Sequence, residues 1–348
     1  MTNPKILNIM LSRGRGGIEQ AFINIATMIG KHTDYDQMAV LDLKSPLSLP
    51  DTIAQKRIKQ FADWDPIGLC MLRKTVTQYK PDIILCHGNR PLKMMLTLRR
   101  FGLVSGRIIG FCHNYSVKHL IKADAILAVS QHMIDDHLTP AGFPKNKAFH
   151  LPNMIDLTNV NPVKLKPKTE TLIIGAMGRF VKKKGFEDFI QAIGFLKNKI
   201  KLKVIIGGSG PEEAHLKALT QKLGLDDIIE FVGWVHDKRA FYDQLNVFCV
   251  PSREEPFGII ALDTLAYGCP LISTRAKGLA EILEGQEAAL LCEVNNPESL
   301  AQAIGQISDC SDDQIRKMQH NGLNLVQGYS MMTIGNRFKE FFSEKNYH

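Results

Sequence analysis

The chain has 348 residues, is 45% hydrophobic and 22% charged, and carries a formal net charge of +8. Those values are those of a soluble globular protein, with a length that suggests two domains, its basic excess serving either solubility or an anionic partner. Seven cysteines stand singly, with no C-x-x-C, which argues against disulfides or zinc and for buried thiols in a reducing compartment.

In chain order, the first predicted strand is KILNIML, with no signal-peptide pattern before it. The glycine loop RGRGGIEQ (13–20) follows. It either brings backbone N–H groups to a phosphate at a helix start or makes a tight turn. The dinucleotide fingerprint G-x-G-x-x-G is incomplete, because Gly14 and Gly16 fit and Glu19 takes the third position. A helical pattern, GGIEQAFINIATMIGK, leads to the strand QMAVLDL. Asp34-Tyr35-Asp36, between them, is read as a turn and not as a metal site. Asp63-Trp64-Asp65 before Pro66 is read as a helix start. The strands PDIILCHG and RIIGFCH end in His87 and His113, each either a site residue or a structural histidine. AILAVS follows. His132 and His137, five apart, do not share a face of an α-helix.

The stretch LTNVNPVKLKPKTE (157–170), rich in Pro, Asn and Lys, reads as a linker. The second half repeats the alternation: TLIIGAMG, KLKVIIGG, IIEFVGW, NVFCVPS, PLISTRA and AALLCEV. Near-continuous apolar strands separated by helices imply parallel sheets covered on both faces, hence two doubly wound domains that bind ligands outside the carboxyl ends of their strands. After these strands come MGRFVKKKG with Arg179 and Lys184, GGSGP with Gly208 and Gly210, and FVGWV with Trp234, either a base-pocket or a core residue. The most informative stretch is SREEPFGIIALDTLAYGCP (252–270). Gly258 opens a helix over Ile259–Ala266, and Glu255 and Asp263 stand eight apart, about 12 Å of helical rise. No run of about 18 uncharged apolar residues occurs, so no membrane span is expected, and the expected location is cytoplasmic or on the inner face of a membrane.

These pieces in this order, from GGIE through HNY (113–115), AVSQHM, PNMID, MGRFVKKKG, GGSGP, FVGW and PSREEPFGIIALDTLAYGCPLIST to KGLAEIL (277–283), resemble the family-4 retaining glycosyltransferases over about 270 residues. The resemblance implies the GT-B fold, with two Rossmann-like domains facing across a cleft. Residues 1–160 would form the acceptor domain and 161–330 the nucleotide-sugar donor domain, with 331–348 a C-terminal helix returning to the first. It further implies that Arg179 and Lys184 bind the donor diphosphate, that Glu255 and His113 reach the sugar, and that Gly16, Gly17, Gly208, Gly210, Trp234, Phe257, Gly258 and Asp263 line the donor site. Asp263 departs from the family's usual Glu, which is one methylene longer, and Pro256 stands where the family usually has Gly.

The implied activity is metal-independent hexosyl transfer, with retention, from a UDP-, GDP- or ADP-sugar to a glycan or lipid-linked acceptor in lipopolysaccharide or other envelope polysaccharide synthesis. No cofactor and no nucleic-acid partner are expected. Lys93, Arg99, Arg100 and Arg107 are candidates for contact with an anionic membrane surface. The alternatives are a nicotinamide-dependent oxidoreductase, for which Asp42 is the one acidic residue near the end of the second strand, and a GT-B epimerase or phosphorylase.

Overall fold

A computed structural model describes residues 3–14, 16–61, 65–158, 160–164 and 170–343. The chain forms two compact units, one built from the residues up to Met154 together with those from Tyr329 onward, the other from Ile155–Gly328.

In the first unit the strands are β1 (Lys5–Met10), β2 (Asp36–Asp42), β3 (Ala54–Ile58), β4 (Ile83–His87), β5 (Arg107–Cys112), β6 (Ala125–Ala128) and β7 (Ala148–His150). The helices are α1 (Gly17–His32), α2 (Pro66–Tyr79), α3 (Asn89–Arg100) and the short α4 (Gln131–Met133), which runs on into a π-helical turn, Ile134–Leu138. All seven strands are parallel, in the order β3-β2-β1-β4-β5-β6-β7. Ile6, Leu7, Ile9, Ile84, Leu85 and Cys86 are fully buried, as expected of strands covered on both faces. β3 (AQKRI) and β7 (AFH) escaped the sequence reading. Both are edge strands, and β3 carries the charged, half-exposed residues that protect an open edge. Asp65 caps α2, accepting from Ile67 N at 3.0 Å, with Pro66 as the first helical residue. Asp63 and Trp64 lie outside the described residues. Asp36 opens β2.

The second unit contains β8 (Leu172–Arg179), α5 (Phe186–Leu196), β9 (Leu202–Ser209), α6 (Glu213–Lys222), β10 (Ile229–Gly233), α7 (Lys238–Tyr242), β11 (Val247–Val250), α8 (Ile259–Ala266), β12 (Leu271–Thr274), α9 (Lys277–Leu283), β13 (Leu290–Cys292), α10 (Pro297–Asp309) and α11 (Asp312–Gln327). Its parallel order is β10-β9-β8-β11-β12-β13. Ile174, Val204, Ile206, Val247 and Ile272 form the centre of its core, with Phe186, Phe189 and Ile193 of α5 packed against them.

The last helix, α12 (Met331–Ser343), packs in the first unit. Gly335 lies against Met28 and His32 of α1, Phe338 and Phe342 meet the ring of Tyr35 edge-on at 6.1 and 5.7 Å, and Phe341 meets Phe149 at 4.3 Å. Tyr35 of the D-Y-D triplet thus serves this packing.

In each sheet the chain winds outward from its first strand and then returns to that strand's other side. The direction switches between β1 and β4 and between β8 and β11, and the carboxyl ends of strands at such a switch are where open α/β sheets take their ligands.

Candidate functional site

At the switch point of the second unit, the loop after β8 and the loop after β11 are joined through backbone. Arg253 N and Glu254 N donate to Lys183 O at 2.8 and 3.1 Å. Gly185, at φ +66°, lies so close that a Cβ would collide with the Pro251 carbonyl oxygen. The Arg253 guanidinium forks onto Asp188, Nε to Oδ2 at 2.7 Å and Nη2 to Oδ1 at 2.5 Å, and reaches Glu187 at 3.2 Å. Thr274 Oγ1 donates to Ser252 O at 2.5 Å.

The result is a fixed meeting of Lys184 with Glu255. Lys184 Nζ donates to Glu255 Oε2, and Ser252 Oγ donates to the same oxygen at 3.2 Å. Glu255 O accepts from Gly278 N at 3.0 Å, and a Cβ on Gly278 would press within 2.5 Å of Glu255 O and Phe257 N. Phe257 is buried, and Gly258 adopts φ +108° as the residue that opens α8. Glu255 therefore lies in the loop before α8, so the 12 Å helical spacing to Asp263 does not apply: the helix covers only Ile259–Ala266, and Asp263 is on its second turn.

Asp263 is buried and accepts from Lys238 Nζ at 2.5 Å. Burial pushes its carboxyl above the ordinary range, and the Lys238 ammonium opposes that rise. Sequence reasoning missed Lys238. The available signal was Asp237, which caps α7 by accepting from Ala240 N at 2.9 Å and so fixes Lys238 as the first helical residue. Beneath the pair, Tyr242 is fully buried, with its hydroxyl 3.0 Å from Thr264 Oγ1.

Gly208 and Gly210 let the end of β9 approach the end of β8. A Cβ on Gly208, at φ +137°, would collide with Gly178 O, and one on Gly210 with Phe180 O. Phe180 N donates to Ser209 O at 2.8 Å and Glu212 N to Phe180 O at 3.1 Å. This presents Arg179, the last residue of β8, as an exposed side chain without a hydrogen-bond or ion-pair partner among the described residues. Trp234 is 44% exposed and follows Gly233 at φ +69°, so the core reading of that ring is overturned.

In the first unit, Gly16 precedes α1 and Gly17 is its first residue. Glu19 folds back over this loop, accepting from Ser12 Oγ, and its carboxylate would lie 3.1 and 3.3 Å from a Cβ on Gly14 and Gly16. Asp42 accepts from Arg13 Nε at 3.0 Å and Nη2 at 3.1 Å. Burial alone would raise its pKa, but the bonds from Arg13, Lys44 N–H and Gln60 hold it below the ordinary carboxylate value. The acid that a nicotinamide cofactor would need is thus committed to an arginine.

His87 and His113, read singly from the sequence, form one pair. His87 Nδ1 and His113 Nε2 are 2.8 Å apart and both rings are buried. Phe111 stacks on both, at 4.9 and 4.5 Å. Burial pushes His113 down to about 3, and burial with the neighbouring imidazole depresses His87 well below its ordinary value, so both are neutral.

His132 and His137 correct the sequence expectation. The π-helical turn carries more residues per turn than an α-helix, and it brings both rings against Tyr115, at 5.9 and 4.6 Å between centroids. Among the described residues, no group of three or more His, Cys, Asp or Glu is placed to hold a metal ion, and no helix is long and apolar enough to cross a membrane. Arg99 is engaged with both oxygens of Asp124 at 2.6 Å.

Residues 158–324 match the family model described as glycosyl transferases group 1. The chain is 30% identical over 186 residues to the lipopolysaccharide core biosynthesis glycosyltransferase LpsE of Rhizobium meliloti (strain 1021), covering 53% of this chain and 54% of that protein. It thus spans about half the length of that relative. It is 29% identical over 252 residues, 67% of this chain and 68% of the relative, to a Campylobacter jejuni N-acetylgalactosaminyltransferase whose name specifies a diphospho-undecaprenol-linked acceptor. Among solved structures, HepE of Anabaena in complex with UDP and glucose is similar with a TM-score of 0.81 at 18% identity, covering 98% of this chain and all of that one. Residues 158–324 are therefore similar to glycosyl transferases group 1, and the chain has the GT-B fold.

Proposed function

We propose that this chain is a metal-independent family-4 retaining glycosyltransferase of the hexosyltransferase type. It moves a sugar from a nucleoside-diphosphate sugar to a glycan or lipid-linked acceptor in lipopolysaccharide or other envelope polysaccharide synthesis. The observation that carries the reading is the backbone clamp that sets Lys184 and Glu255 together at the carboxyl edges of β8 and β11. The family match over the same unit and the names of the relatives support it.

Charge builds on the departing diphosphate as the glycosidic bond breaks. Lys184, with the exposed fork of Arg179, neutralises it, and electrostatic stabilisation of this kind commonly supplies the largest share of rate enhancement. A diphosphate competes with Glu255 for Lys184, and the freed Glu255 oxygen, still held by Ser252, accepts from a sugar hydroxyl. Backbone N–H groups at the start of α8, opened by Gly258, meet the sugar or its phosphate. Asp263, held by Lys238, receives the ribose hydroxyls, and the exposed Trp234 ring borders the base. His113 is a further candidate contact for a sugar hydroxyl. Lys93, Arg100 and Arg107 contact an anionic membrane surface.

A melting screen of the purified chain against UDP, GDP, ADP and their hexose conjugates tests this. One nucleoside diphosphate should raise the melting temperature, and its sugar should be turned over without added metal and with EDTA present. No response to any of them would sink the reading.

A further inference from the structure

We propose that His87 is a positioning residue that locks His113 in the Nδ1–H tautomer, turning His113 and Asn89 into a subsite for a single hydroxyl group. Two arrangements of the shared hydrogen bond are open to the pair. Either His87 Nδ1–H donates to His113 Nε2, leaving His113 with its proton on Nδ1, or His113 Nε2–H donates and His87 carries its proton on Nε2.

The surroundings distinguish them. His87 Nε2 is buried without a hydrogen-bond partner among the described residues, in a ring flanked by Phe22, edge-on at 5.0 Å, and by Phe111, stacked at 4.9 Å. The second arrangement would seal an orphaned N–H between those rings, whereas the first moves the free N–H to His113, which borders a cavity able to supply its partner. The first leaves only a lone pair among the rings. It also gives His113 an Nδ1–H donor, and His113 lines a cavity of about 30 Å³ with Ile18, Gly88, Asn89, Asn114 and Ser116.

That is room enough for a water molecule or a hydroxyl group. Asn89 Nδ2 donates to Ser116 Oγ at 2.9 Å, while Asn89 Oδ1 and His113 Nδ1 are both buried without partners among the described residues. A hydroxyl satisfies both, accepting from His113 Nδ1–H and donating to Asn89 Oδ1. A phosphate oxygen, which cannot donate, satisfies one. Gly88, at φ +94°, is the N-cap of α3 without a side-chain cap and lines the same cavity.

The test is a two-bond ¹H–¹⁵N correlation on histidine-labelled protein, with His113 assigned among the 11 histidines by the signal missing from His113→Gln. The wild type should show the Nδ1–H pattern for His113. His87→Asn, whose amide nitrogen overlays Nδ1 and still donates, should keep it. His87→Phe should move His113 toward the Nε2–H form. An Nε2–H pattern in the wild type, or an unchanged Nδ1–H pattern in His87→Phe, would overturn the proposal. The measurement needs no turnover, so its failure is separable from a failure of the nucleotide melting screen.

Discussion

At the switch point of the first sheet two imidazoles lie buried, stacked and uncharged, 2.8 Å apart. At that of the second sheet a lysine and a glutamate meet where two loops join, their side chains 24% and 12% exposed. The topology is the same and the chemistry is opposite. Full burial of a charge is costly unless it is paired and bonded, so the deep position of the first sheet holds neutral hydrogen-bonding groups. The second sheet keeps its cations shallow, where a charged ligand can replace their present partners. Under the proposed function, the first arrangement suits hydroxyls and the second suits phosphate charge.

The comparison breaks most sharply at Lys184. Lys184→Ala should lower kcat by about 10²–10³-fold, as loss of one electrostatic donor does, while the melting temperature changes little. A matching loss of stability would mean that the pair is a structural strut. Gly185→Ala comes next. It forces a Cβ into the Pro251 carbonyl at φ +66° and should cost about 2–3 kcal/mol in urea unfolding, with the hydrogen exchange of Arg253 N accelerated. Lys238→Met should cost about 2 kcal/mol by leaving the buried Asp263 carboxylate unpaired. Because burial already raises Asp263, nucleotide affinity in that variant should become pH-dependent and fall as pH drops and Asp263 takes a proton. Flat affinity between pH 8 and 5 would remove Asp263 from the ribose.

Acid sharpens the other side. The folded pKa of His113 lies at about 3, below its ordinary 6.5, so below pH 6.5 the unfolded chain binds a proton that the folded unit refuses. This stability is whole above pH 6.5 and drains as pH falls toward 3, with a limiting slope of about 1.4 kcal/mol per pH unit for each such imidazole. Protection factors at β4 and β5, which correct for the intrinsic pH dependence of exchange, should therefore fall from pH 7 to 5, and less so in His87→Phe. The smallest effect belongs to Arg99→Ala, about 0.5 kcal/mol for a half-exposed ion pair. Its engagement with Asp124 also predicts unchanged binding to anionic vesicles in a flotation assay.

Much of the architecture was legible in the sequence because both sheets are buried on both faces, which writes strands as unbroken apolar runs. α8 was legible from Gly258 and the apolar run behind it. β3 and β7 were not, since edge strands need no such run. At the site, Arg179, Lys184 and Glu255 could be read as separate features after strands. That Lys184 grips Glu255, that Lys238 grips Asp263 and that His87 grips His113 are meetings between residues 71, 25 and 26 positions apart, and spacing along the chain says nothing of them. The nearness of His132 to His137 was hidden for another reason: a π turn changes the periodicity on which a face is judged.

The placement of α12 bears on synthesis. The second unit is one continuous stretch, Ile155–Gly328, whereas the first takes α12 only after that stretch has passed. Chains emerge N-terminus first, so the nascent first unit is without the helix that covers Met28, Tyr35 and Phe149 until synthesis ends. A chain truncated after Gly328 would keep the whole sequence of the second unit and leave that apolar surface of the first open to a chaperone.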